Sequence, residues 1–127
     1  MDLIRHNPAS VSPPQGGYSL GFELRPGARL LFISGQIPER LDGSVPTTFD
    51  DQCRTVWDNI LSVLASAGMS VNHLVKITTY LTDRGQADSN GRIRREVLGE
   101  HRPALTVIVA QTLASPWLLE IEAIAAA

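Results

Sequence analysis

The sequence predicts an α+β domain in which a mixed sheet carries two helices on one of its faces. Three observations lead to this. Phe49, Cys53, Val56, Trp57, Ile60, Leu64 and Ala67 recur at spacings of 4, 3, 1, 3, 4 and 3, the stripe of an amphipathic helix. Shorter stretches before and after it alternate or run apolar over strand lengths. The resulting order is strand, strand, helix, strand, helix, strand, strand, which suits a mixed-layer fold.

Residues 1 to 17 hold three of the eight prolines and the adjacent Gly16 and Gly17, a composition expected of an extended N-terminal arm. Residues 18–127 are expected to form a single domain. Tyr18 opens a first strand, YSLGFEL, with Leu20, Phe22 and Leu24 on one face. After the turn at Arg25-Pro26-Gly27-Ala28, the stretch ARLLFISGQ is apolar on both faces and is expected to be buried on both. PERLDGSVPTT follows as a loop, with turn chemistry at Asp42-Gly43 and a proline at 46.

Thr47 or Thr48 can cap the long helix, with Asp50 and Asp51 favourably placed at the positive end of its dipole and Gly68 as its stop. VKITTYL then sets Val75, Ile77, Thr79 and Leu81 against Lys76, Thr78 and Tyr80, a half-buried strand. A weaker helix covers about 86–98 with Ile93, Val97 and Leu98 as its apolar residues. Gly91 inside it costs about 1 kcal/mol relative to alanine, so this helix leans on tertiary contacts. Two strands, ALTVIVAQ and WLLEIEAIA, close the chain. Because two helices cover only one sheet face, the apolar residues of the other face call for a partner, and self-association is the simplest supplier.

A chain of 127 residues is long enough for one core. Its 11 basic and 13 acidic residues are dispersed, which argues against nucleic-acid binding through a basic stripe. Cys53 is the single cysteine, so no intrachain disulfide forms and a reducing compartment fits. With no apolar leader and no stretch approaching the ~20 apolar residues of a membrane span, the chain reads as cytoplasmic.

Few residues offer chemistry. Cys53 lies on the apolar stripe of the long helix and reads as a buried structural thiol. His6, His73 and His101 stand apart without metal-ligand spacing. At Gly16-Gly17-Tyr18 and at Ser34-Gly35-Gln36, glycines could admit a ligand to the backbone or could simply form a turn and a bulge. Glu120 and Glu122 share one face of the last strand, either as a solvated face or at a cleft where a carboxylate takes a proton from water.

GGYSLG, FISGQIP, the long helix with the strand after it (DNILSVLASAGMSVNHLVKITTYLTD) and the closing EIEAIA together resemble the Rid family, also called YjgF or L-PSP, from about Gly17 to Ala125. The resemblance implies a chorismate-mutase-like fold assembled as a homotrimer around a central β-barrel, with small-molecule sites in the clefts between subunits. It also implies hydrolysis of reactive imines or enamines such as 2-aminoacrylate, with no metal or organic cofactor. On this resemblance the catalytic residues are Glu120 and Tyr18, and the SGQ turn of the substrate site is Ser34, Gly35 and Gln36.

Deaminating members carry an arginine after the Pro-Ala of the penultimate strand, where it binds the substrate carboxylate in a bidentate pair. Fifteen positions before Glu120, that place is held here by Leu105, and the family's cysteine two residues on is Val107. Leu105 and Val107 therefore line an altered substrate site. Arg102, three residues before Leu105, either reaches the cleft or is a solvated loop arginine.

The implied function is hydrolytic deamination of an imine or enamine other than 2-aminoacrylate. The alternative is a non-catalytic trimer that binds a small molecule or regulates a partner. Endoribonuclease activity ranks third, since no basic aromatic platform or histidine pair is present.

Overall fold

The computed structural model describes residues 3–14 and 16–127; Met1, Asp2 and Gln15 of the expected N-terminal arm lie outside the described residues. In chain order the elements are β1 (Leu3–His6), β2 (Gly21–Leu24), β3 (Leu30–Gln36), α1 (Phe49–Ser66), β4 (Leu74–Leu81), α2 (Ala87–Leu98), β5 (Ala104–Val109) and β6 (Leu119–Ala126). A four-stranded sheet runs β3-β6-β4-β5, and β1 pairs with β2 in a separate antiparallel ribbon. Only the β4–β5 pair of the larger sheet is parallel, and α2 is the crossover between them.

The long helix forms where its stripe places it. The Thr48 hydroxyl accepts from the Asp51 N–H at 3.2 Å, a cap that contributes about 1 kcal/mol. Gly68, at φ +69°, takes the left-handed conformation that ends the helix. Val56, Trp57, Ile60 and Leu64 are buried against Ile77, Leu81, Leu119 and Ile121 of the sheet. Each fully buried aliphatic there stabilises the fold by about 1.5–3 kcal/mol relative to exposure. In β6, LEIEAIA sends Leu119, Ile121, Ala123 and Ala125 into this core and Glu120 and Glu122 to the opposite face.

Gln52, buried beside that core, ties two loops to α1. Its amide donates to the carbonyls of Pro46 and Pro116 at 2.9 Å each, and its Oε1 accepts from the Leu118 N–H at 2.8 Å. All its strong contacts are thus to backbone groups that would otherwise lack partners.

Two expectations need correction. β3 is not buried on both faces within one chain: Leu30 and Phe32 are 51% and 69% exposed, and on the opposite edge strand, β5, Ile108 is 45% exposed. The reason is the one that motivated a partner, since both helices lie on the side of Ile33, Ile77 and Ile121. The strand expected to open at Tyr18 begins at Gly21 and is the second of the chain, after β1; Ser19 instead forms a lone parallel bridge to Ala104, its N–H donating to the Pro103 carbonyl at 2.9 Å. That bridge lays the segment before β2 beside the start of β5. No helix among the described residues is long and apolar enough to cross a membrane.

Candidate functional site

The residues singled out in the sequence fall into two groups on opposite faces of the sheet. Leu105 pairs with Ile77 across the β4–β5 ladder, and directly paired residues share a face, so Leu105 lies on the helix side. Glu120 pairs with Tyr80 across β4–β6 and lies on the open side. One chain therefore cannot bring Leu105 and Glu120 to the same ligand.

On the helix side, Tyr18, Leu105 and Val107 line one cavity of about 340 Å³. The Ser19 bridge brings Tyr18 there, and strand parity brings Leu105 and Val107 to a common wall. The remaining wall is α2, which supplies Asn90, Gly91, Arg94 and Arg95. Sequence reasoning missed these four. The available signal was the run RIRR: Ile93 is the apolar residue of that turn, so an adjacent arginine has to border the core.

On the open side, β3 bulges between Ile33 and Gln36, and the bulge presents Gly35 to Glu120. A Cβ built on Gly35 would lie 1.9 Å from Glu120 Oε2, so the carboxylate occupies space that any other residue at 35 would fill. Gln36 turns its amide back to the Ser34 carbonyl at 3.0 Å. Tyr80 donates to Glu122 at 2.7 Å, which raises the phenol above its ordinary range and leaves Glu120 as the carboxylate beside the glycine.

Arg102 is not part of the wall around Leu105. Its guanidinium donates to the carbonyls of Gly99 at 2.5 Å and His101 at 3.1 Å, and it faces a shallow depression shared with Arg5 and His101. Cys53 is fully buried 4.0 Å from Asn90 Oδ1, and burial pushes its thiol up to about 12, so it carries no thiolate for chemistry near neutral pH. Among the described residues no three His, Cys, Asp or Glu side chains group closely enough to hold a metal ion.

Residues 10–127 match the family model described as endoribonuclease L-PSP. The chain is 36% identical over 114 residues to a RutC family protein of Pyrococcus horikoshii, covering 88% of each. It is 30% identical over 122 residues to TdcF of Escherichia coli, a candidate reactive intermediate deaminase, covering 93% of this chain and 89% of that one. Among solved structures, the Rid-family protein YyfB of Yersinia pestis superposes with a TM-score of 0.89 at 28% identity over 100% of both chains. A crystal structure of E. coli TdcF with bound serine superposes with a TM-score of 0.74 at 30% identity, covering 90% of this chain and 91% of that one.

Proposed function

The chain belongs to the Rid (YjgF/L-PSP) family, and from that premise we propose that it forms a homotrimer whose inter-subunit clefts hydrolyse a reactive imine or enamine other than 2-aminoacrylate. The observation that carries this reading is the split site. Tyr18, Leu105 and Val107 share a cavity on the helix side, while Glu120 lies against Gly35 on the open side. A second copy is what unites them, and Leu30, Phe32 and Ile108 supply exposed apolar surface for it.

In the assembled cleft, the Glu120 carboxylate accepts a proton from water as the oxygen attacks the carbon of the C=N bond. Glu120 returns that proton to the nitrogen to give a carbinolamine, then carries the carbinolamine's hydroxyl proton to the nitrogen as the C–N bond breaks, and a carbonyl compound and ammonia leave. Backbone N–H groups near Gly35 and Val107 hold the developing negative charge on oxygen. Tyr18 closes the cleft, and Leu105 and Val107 contact an apolar part of the substrate. TdcF, as a candidate deaminase, supports the reaction class.

The test is ammonia release from an imine generated in place by an amino-acid oxidase, with native protein, Glu120→Ala and a protein-free control. Glu120→Ala is expected to lose turnover with the trimer intact; unchanged turnover removes Glu120 from the mechanism. Leu105 itself favours a second reading, a binding trimer without chemistry, since an apolar side chain cannot make the charge-assisted contact expected there. Ligand-induced thermal stabilisation with no product formed marks that case.

A further inference from the structure

We infer that the cavity beside Leu105 is a carboxylate site whose charge has moved to α2: Arg94 and Arg95 hold the carboxylate of an organic acid whose apolar tail lies on Leu105 and Val107. This rests on the reading of that cavity as the ligand site and names the class of molecule it takes.

Arg94 is only 6% exposed, yet its bonding is incomplete. One terminal nitrogen donates to the Gly16 carbonyl at 2.8 Å, and its Nε has no hydrogen-bond partner. Burying a guanidinium is costly unless an anion lies beside it. No protein carboxylate does so among the described residues. Asp50 and Glu96 pair with Arg92, and Glu96 also with Arg54, leaving Arg94 and Arg95 outside every described ion pair. Burial first, and Arg95 second, press the Arg94 guanidinium below its ordinary range, the signature of two cations side by side without a counter-charge.

Three glycines hold Arg95 in this place. Its stem lies along Gly17, with Cγ 3.4 Å from where a Cβ there would sit. Its Nη1 lies 3.0 Å from the corresponding point on Gly91, one turn earlier on α2, as expected for a helical side chain leaning toward the N-terminus. At Gly16 the Cβ position is 3.7 Å from Arg95 Nη1 and 3.8 Å from Arg94 Nη2, so both guanidinium groups converge on one point. The glycine that weakens α2 thus leaves room for the Arg95 side chain, which stays exposed, to fold back along the helix and line the cavity's mouth. Opposite the two cations stand Leu105, Val107 and the Tyr18 ring. A cavity of about 340 Å³ with a cationic wall and an apolar one suits a small organic acid with a hydrocarbon tail.

The test is calorimetric titration of the full-length protein with 4-methyl-2-oxopentanoate, with the uncharged 4-methyl-2-pentanone and inorganic phosphate as comparison probes. The keto acid is expected to bind, the ketone to bind at least about tenfold more weakly, and Arg95→Met to lose at least about tenfold in affinity. Arg54→Met, which removes an exposed cation on the outer surface, should leave affinity unchanged. Since Arg94→Met removes a buried contact and can unfold the chain, Arg95→Met carries the decision. Equal binding of acid and ketone, phosphate binding more tightly than the acid, or native affinity in Arg95→Met each overturns the inference. The titration involves no chemistry, so a protein that binds the acid through Arg95 but releases no ammonia keeps this inference and loses the hydrolase reading. Ammonia release without carboxylate binding does the reverse.

Discussion

Gly35 and Glu120 occupy one another's space: a methyl group on residue 35 would sit 1.9 Å from the Glu120 Oε2 atom. The bulge in β3 is where the strand yields to that contact, and the glutamate is held against backbone where a proton acceptor is wanted.

Gly35→Ala is therefore expected to displace the Glu120 side chain. The overpacking should lower stability by about 1–3 kcal/mol, and turnover should fall much further than that loss of folded protein explains. Thermal denaturation and ammonia release on the same preparation separate the two effects.

Gly91→Ala should act in the opposite sense on stability. Alanine raises helix propensity by up to about 1 kcal/mol, and the atom it meets is the flexible end of Arg95. The expected outcome is a melting temperature equal to or above that of the native protein, with carboxylate affinity reduced because Arg95 is pushed out of the cavity. A lower melting temperature with affinity retained would show that Gly91 serves packing alone.

Phe32 stands 69% exposed on the open face of the sheet beside Ile124. If that face is covered by copies of the chain, Phe32→Glu places charge in each interface and should yield a folded species of lower mass by light scattering, without activity. A species of native mass would remove the open face from the assembly.

Much of this was legible in local pattern. The α1 stripe, a cap at Thr47 or Thr48 that the structure resolves to Thr48, and the Gly68 stop are all set by residues within a turn of where they act. β1 was not legible: four residues, LIRH, are too few to show alternation, and their partners Gly21–Leu24 lie well along the chain. Strand parity in EIEAIA placed Glu120 and Glu122 on a common face, but which face Leu105 shares depends on the pairing with Ile77, a long-range fact. The arginines of α2 were the largest omission. RIRR reads as solvated charge unless Gly16, Gly17 and Gly91 are known to fold around it, and only the tertiary structure brings those glycines together.

The most direct measurement is ammonia release from two imines offered separately: 2-aminoacrylate, and the imine of leucine generated in place. Each is compared with a protein-free control for the native chain and for Leu105→Arg. The native protein is expected to accelerate release from the leucine imine and not from 2-aminoacrylate, with Leu105→Arg gaining activity on the smaller substrate. Acceleration by the native protein on 2-aminoacrylate alone, or on neither imine, would contradict the account.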